Sequence, residues 1–548
     1  MSLKWTRERR VDLLNLGLIG AAFLLVVWLV PPVRDFPMDD DWVYAGSVQD
    51  LLRGDFQVGQ WAQAIALGHE AWAALLAYFL GFSFTTLSIA NLAMGLAGLA
   101  LFYLLLRQLG IRPNYALFGV ATLGLNPMYF YLSYSFMTDV SFVTFTLAAM
   151  LCFVLAFNSP AVREGWLWWG SAASALAYLN RQFGVLVPAA VLLYMWAARE
   201  WGWRRVAAVV LIPVAAAAGY ALWEGSQPTR LVLLLIEQQR AYAFENPGQA
   251  ALLRVFEIVY TVAIPGLCLL PLLFLRVRPR YPLVAFAVLA ALQVYVLRAS
   301  GTVLPVVGNV VDHSGFFSSY EALWPQWIWA GIALLGGLTL CLFVGSLMSG
   351  IRPGAIRDAV RGKAEAGRTV EGDPAHIAYI LLVLLVPATL FLPTMLFDRY
   401  FLPMFPLLIF AALRYLQRSA PSPPWWRWAL LVPFALFSLI GMRDLFEFYD
   451  LRWERAEALV ARSGVAHRNI DAGYEWVGWH LFDEAEPLVR QSGDYSNMIV
   501  PGRAALDPVY RFSNMPIEGY EQVDSLAYRY WLAGGLERRL LLLKRSGD

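Results

Sequence analysis

Charge is what this chain of 548 residues has least of. Asp, Glu, Lys and Arg make up only 15% of it, while hydrophobic residues make up 59%. An ordinary soluble protein carries about 25% charged residues. At this length it would form roughly three or four domains, each with a polar surface to cover it. With mean hydropathy at +0.54 there is too little polar surface for that. The chain is solvated mainly by lipid. The few charges also balance, 42 basic against 40 acidic. That excludes both the basic excess that binds nucleic acid and the acidic tail of a solvating protein. The three cysteines, Cys152, Cys268 and Cys341, sit in apolar runs, so neither a disulfide framework nor a thiolate metal site is expected. The five histidines show no H-x-x-x-H or comparable spacing. A run of aspartates offers oxygen ligands to a divalent ion, yet one turn of chain does not encircle an ion unaided. No cofactor is expected. A glycine-rich phosphate loop and a dinucleotide fingerprint are both missing, so a nucleotide has no home.

What the chain has in abundance is long apolar runs. A helix needs roughly 20 mostly apolar residues to cross a bilayer. About thirteen segments qualify: 11–31, 84–106, 114–133, 140–157, 166–180, 183–198, 206–224, 255–275, 281–299, 326–347, 377–397, 400–413 and 428–442. The first spans and lacks a small-residue cleavage site after it, so it reads as an anchor and not a cleaved signal. The positive-inside rule orients the set. With Lys4, Arg7, Arg9 and Arg10 in the cytoplasm, the inner loops hold Arg107 and Arg112, Arg163, Arg199 to Arg205, Arg276 to Arg280, Arg352 to Arg368, and Arg414 to Arg427. The N-terminus is then inside and the C-terminus outside.

The expected fold is an all-α polytopic membrane domain over 1–442, followed by a small extracytoplasmic α/β domain over 443–548. The first outer loop, about 32–83, is too long for a turn. In it Ala45, Val48, Leu52 and Phe56 recur at helical spacing opposite Gln49, Asp50 and Arg53, which predicts a helix lying on the membrane surface. A second surface helix is expected within 62–81. Two more long outer segments carry Glu237, Arg240 and Glu245, and then Asp312, His313 and Glu321. Repeated halves and broken helix pairs are absent, which weakens a transporter reading.

Four polar clusters fall on the outer face. Met38-Asp39-Asp40-Asp41-Trp42-Val43-Tyr44-Ala45 places three carboxylates together just beyond the first span. Such acids repel, and a carboxylate facing a wet cavity suits a general base; helix capping is the bland alternative. Phe136-Met137-Thr138-Asp139-Val140 puts an acid where midplane burial would cost about 2.5–3.5 kcal/mol. Leu179-Asn180-Arg181-Gln182-Phe183-Gly184 and Phe397-Asp398-Arg399-Tyr400-Phe401-Leu402-Pro403 each add an arginine. Snorkelling or local pairing would explain either one alone. Convergence on one face points further: arginines to hold a phosphate, and an aspartate to take a proton from an incoming hydroxyl.

These pieces, in this order, resemble the C-type integral-membrane glycosyltransferases, specifically the bacterial relatives of the protein O-mannosyltransferase and aminoarabinose transferase family (family 39-like). Asp40-Asp41-x-x-Tyr44-Ala45 resembles the family's acidic signature. Gly81-Phe82-Ser83, Asn126-Pro127 with Phe136-Met137-Thr138-Asp139, Arg181, and Arg399-Tyr400-x-Leu402-Pro403-x-x-Pro406 resemble its later corners. Gly68-His69-Glu70-Ala71 departs from it, lacking the paired prolines that follow a Lys or His there.

The resemblance implies an inverting transferase in a bacterial inner membrane. It would move a sugar from a polyprenyl-phosphate donor to a lipid, glycan or protein acceptor on the outer side. Asp40 is then the general base, Asp41 tunes it and Asp139 positions the acceptor or the arginines. Arg181, Arg399 and, more weakly, His69 contact the donor phosphate. Asp39 and Tyr44 are candidates for the acceptor side or the loop, and Asp312 and His313 border the same face but read first as loop residues. A membrane glycan ligase or polymerase, and less so a transporter, stay open as alternatives. Trp476 and Trp479 are expected in the small domain's core or against the membrane part, ahead of a sugar-stacking role.

Overall fold

A computed structural model describes residues 2–55, 57–159, 161–261, 263–272, 280–300, 310–311, 316, 323–350, 372–393, 396–493 and 501–547. Helices dominate: α1 (Ser2–Leu29), α2 (Asp41–Arg53), α3 (Leu67–Leu80), α4 (Phe84–Gln108), α5 (Pro113–Gly124), α6 (Pro127–Tyr134), α7 (Thr138–Phe157), α8 (Glu164–Asn180), α9 (Leu186–Ala197) and α10 (Trp203–Glu224). Next come α11 (Leu231–Glu245), α12 (Pro247–Thr261), α13 (Ala263–Cys268), α14 (Arg280–Ser300), α15 (Gln326–Gly350) and α16 (Ala375–Phe391). The last are α17 (Phe405–Leu416), α18 (Trp425–Ala429), α19 (Val432–Ser463) and α20 (Tyr474–Ser492). Among the described residues, 8 helical stretches are long and apolar enough to cross a membrane, and three shorter apolar helices accompany them. The chain is a multi-pass membrane protein.

Local chemistry explains the boundaries. Ser83 caps α4 by accepting from the Thr86 amide at 3.0 Å. The expected span 114–133 is in fact two helices, because Asn126 caps α6 by accepting from Met128 N at 3.0 Å and Pro127 takes its first position. Proline has no amide to continue the preceding helix. The spans expected over 183–198 and 400–413 each begin with a turn of 3₁₀ helix, Gln182–Val185 and Asp398–Met404. Both tight turns carry or follow one of the candidate arginines.

Helices α7, α4 and α17 sit inside the bundle, whereas α1 packs along one side of it and has few fully buried residues. Its exposed Leu13, Leu14 and Trp28 face lipid. Both helices expected in the loop after the first span form, as α2 and α3. Ala45 and Val48 are buried as the spacing requires, but Leu52 is exposed, and Phe56 lies outside the described residues. The helix after the last span does not stop near 442: α19 runs unbroken to Ser463, where Gly464 ends it at φ +64°.

Beyond it, α20 packs with a sheet of β1 (Ile470–Asp471), β2 (Tyr510–Ser513), β3 (Tyr520–Tyr530) and β4 (Leu536–Arg545). The strand order is β1-β2-β4-β3, parallel for β1–β2 and antiparallel elsewhere. Trp476 is fully buried, and Trp479 packs on Phe82 and Phe84 of the membrane part, with centroids 6.5 and 5.0 Å away.

Candidate functional site

Pro31 and Pro32 end α1, and the extended chain that follows carries Arg34 inward. Its guanidinium donates to Asp41 Oδ2 at 2.7 Å, to Ser88 Oγ at 3.0 Å and to the Phe36 carbonyl. Asp41 is fully buried. Its other oxygen accepts from the Phe136 amide at 2.6 Å, and Oδ2 also accepts from Met38 N at 3.1 Å. Burial pushes the Asp41 carboxyl up to about 6 against the pull of Arg34. With its lone pairs engaged, Asp41 ties the acidic run to the corner before α7.

That anchoring turns Asp39 and Asp40 the other way, toward Arg399. Asp39 adopts φ +51°, a left-handed conformation that aspartate tolerates better than most side chains. Its Oδ2 is 3.5 Å from Arg399 Nη1, while Asp40 Oδ2 is 3.2 Å from Arg399 Nη2. Burial, and then the neighbouring Asp40, hold the Asp39 carboxyl well above the usual carboxylate range, although Arg399 opposes them. Asp40 differs from its neighbours in keeping its side chain 22% exposed. Its second oxygen accepts from the Tyr474 hydroxyl, so α20 of the C-terminal part closes over the acidic run. Trp42 packs against Tyr474 and Phe482 on the same helix.

Arg399 is set by its own turn. Asp398 Oδ1 accepts from the Arg399 amide at 2.7 Å, and its Oδ2 accepts from the amides of Val310 and Val311. Arg181 donates to Asp139 Oδ2 at 2.7 Å and to Thr138 Oγ1 at 2.9 Å, with both ends of the pair buried. The Tyr400 ring lies between the two guanidiniums, 5.7 Å from Arg181 and 5.8 Å from Arg399. The starts of α4, α7 and α17 and the end of α8 therefore meet at one end of the bundle. Asp40, Asp139, Arg181 and Arg399 are gathered there from four separate stretches of chain.

Two expected site residues are placed differently. His69, expected at the donor phosphate, is fully buried. Its Nε2 donates to the Phe136 carbonyl at 3.2 Å and its Nδ1 accepts from Ser141 Oγ at 3.0 Å. Burial pulls its pKa down to about 3, so it is a neutral brace under the corner with no free nitrogen for a phosphate. Tyr44 packs edge-on against His69, and burial raises its phenol above the ordinary range. Asp312 and His313 lie outside the described residues.

Sequence reasoning missed Arg34, Tyr474 and two further groups. Glu475, beside Tyr474, accepts from the Tyr449 hydroxyl and from Arg452 Nη2 at 3.0 Å, which fixes α20 to α19. Glu70 is fully buried near Ser47 and Arg230, and burial raises its carboxyl to about 8. Arg230 donates to Glu224 at 2.5 Å and to the Ala62 carbonyl at 2.6 Å. It borders a cavity of about 370 Å³ lined also by Gln57, Gln60, Trp223 and Glu224. Asp139, Arg181, Arg399 and the acidic run stood out in sequence, since charge is scarce near the spans.

Fold and site together define a multi-pass membrane protein with a carboxylate–arginine cluster at one end of its helices. Residues 66–223, from the start of α3 to the end of α10, match the family of dolichyl-phosphate-mannose-protein mannosyltransferases, and over that stretch the chain resembles the family 39-like membrane glycosyltransferases. No curated protein matches the chain significantly. Solved structures similar to it include ArnT from Cupriavidus metallidurans in the apo state, with 14% identity over 96% of this chain and 97% of that one and a TM-score of 0.41. ArnT bound to undecaprenyl phosphate gives 13% identity, coverage of 100% and 99%, and a TM-score of 0.39. The S. cerevisiae protein O-mannosyltransferase Pmt1-Pmt2 complex gives 16% identity over 38% of this chain, with a TM-score of 0.32. The match spans 32% of that yeast chain.

Proposed function

We propose that the protein is an inverting glycosyltransferase that moves a sugar from a polyprenyl-phosphate donor to an acceptor hydroxyl on the extracytoplasmic face of a bacterial inner membrane. The observation that carries this reading is the contrast within the acidic run. Asp39 and Asp41 are buried, whereas Asp40 keeps an open face beside Arg399, whose ring neighbour Tyr400 also contacts Arg181.

In this mechanism Asp40 accepts the proton of the acceptor hydroxyl. The hydroxyl oxygen forms a bond to the anomeric carbon as the bond from that carbon to the phosphate oxygen breaks. The electron pair leaves on the polyprenyl phosphate, and one displacement inverts the anomeric centre. Arg399 and Arg181 face the charge that grows on the leaving phosphate, and each charge-assisted donor contributes about 2–4 kcal/mol to the transition state. Asp139 holds Arg181, Asp41 and Arg34 hold the loop that presents Asp40, and Tyr474 orients the base through its hydrogen bond. The positive charge needed at the phosphate comes from guanidiniums, and the acidic run is already shared among Arg34, Arg399 and backbone amides. Transfer therefore proceeds without a divalent metal.

The test is transfer from a panel of labelled polyprenyl-phosphate sugars in proteoliposomes, with bacterial membrane extract supplying acceptors. One donor is expected to give a product of inverted anomeric configuration. A product of retained configuration, or no product with any donor, contradicts the reading.

A further inference from the structure

The C-terminal part holds a cluster that sugar transfer does not use. Glu457 lies near the end of α19, His467 in the short turn His467–Asn469 after it, and His480 on α20. Each offers one ligand-type atom, and these atoms all lie within 4.8 Å of one another. The two imidazole rings are stacked, with centroids 4.2 Å apart and planes 15° from parallel. His480 Nε2 stands 3.5 Å from Glu457 Oε1 and, although buried, makes no hydrogen bond among the described residues. A buried polar atom without a partner costs about 1–3 kcal/mol. The gap between these three groups is therefore one that an ion would relieve.

The ligand chemistry selects the kind of ion. Two imidazole nitrogens and one carboxylate oxygen suit zinc and its borderline neighbours, whereas calcium and magnesium prefer oxygen alone. Ligand atoms about 2.0–2.2 Å from a tetrahedral zinc lie roughly 3.4 Å from each other. Rotation of the Glu457 side chain, which is 52% exposed, would bring the cluster toward that spacing. The same open side admits a water as fourth ligand.

We propose that Glu457, His467 and His480 form a zinc-class metal site that fastens α20 to the end of α19. The site differs from the acidic run in both residues and ligand type. Its ligand His480 shares α20 with Tyr474, which holds Asp40, so the ion stiffens the element that closes over the carboxylate–arginine cluster. The indoles of Trp476 and Trp453 lie 4.2 and 5.7 Å from the His480 ring, which provides an optical reporter.

The experiment uses the full chain in detergent, stripped with a chelator and titrated with zinc chloride. Bound metal is counted by elemental analysis, and cobalt(II) reports geometry through tryptophan quenching and visible absorption. Wild type is expected to hold one zinc per chain. His480→Asn and Glu457→Gln should each weaken zinc at least about tenfold, while Asp40→Asn leaves it unchanged. Glu457→Gln changes an exposed side chain, so misfolding does not explain its loss. No zinc on wild type overturns the proposal, as does equal affinity in both ligand variants. Loss of zinc in Asp40→Asn with retention in His480→Asn places the ion at the acidic run and overturns it as well.

Discussion

Asp40 and Asp41 are adjacent, yet their surroundings assign them opposite work. Asp41 is buried in a full set of hydrogen bonds with Arg34 as its counter-ion. Removing one partner of a buried pair strands the other charge at a cost of about 3–5 kcal/mol. Asp41→Asn is therefore expected to lower the unfolding temperature in detergent markedly, and an unchanged melt would deny Asp41 its anchoring role. Glu70 makes a second test, through pH. Its carboxyl is raised to about 8, so the folded chain binds a proton that the unfolded chain releases near 4.5. The stability contributed by that proton is present at acid pH and is lost as pH rises toward 8. Glu70→Gln should accordingly gain in relative stability between pH 5 and 9, read from thermal melts at both ends. A gap that stays constant with pH would contradict this. The sequence made Asp40, Asp139, Arg181 and Arg399 legible because isolated charges near apolar spans need a reason. It hid Tyr474, which lies 434 residues from its partner Asp40, and Arg34, which looks like an ordinary headgroup contact after a span.

At the scale of elements, the carboxylate–arginine cluster depends on how α20 seats on α2. Gly478 lies directly against the Trp42 indole: a Cβ there would come within 2.4 Å of the ring. The ring cannot yield easily, since Tyr474 and Phe482 pack on it. Gly478→Ala is expected to cost about 1–3 kcal/mol by overpacking and to lower transfer more than donor binding, because it displaces Tyr474. Equal donor binding and equal turnover would show that α20 has no part in the reaction. Periodicity made α2 and α3 readable, along with most of the spans. It did not resolve the break at Asn126-Pro127, which lies inside a continuous apolar run, or the 3₁₀ turns Gln182–Val185 and Asp398–Met404, which open spans whose apolar pattern is the same for either helix type. Those irregular turns are what aim the arginines. Hydrophobicity alone carries no signal for a change from 3.6 to three residues per turn.

Across the whole molecule, the charge distribution of the loops and the position of the cluster make one joint claim. On the proposed topology the basic loops lie inside and the carboxylate–arginine end of the bundle lies outside. Single cysteines placed near Arg9 and in the β3–β4 turn at Gly534 should react with a membrane-impermeant reagent from opposite sides of sealed vesicles; reaction from the same side would reverse or break the topology. The class of protein was legible from composition and from four short clusters. The lid that α20 forms was not, because contacts between distant segments leave no local pattern. The most direct test of the mechanism is transfer by Asp40→Asn measured beside its affinity for the polyprenyl-phosphate donor. Loss of the base should lower turnover by about 10²–10⁴-fold with donor affinity little changed. Turnover equal to wild type would remove Asp40 from the chemistry and leave the acidic run as a structural knot around Arg34 and Arg399.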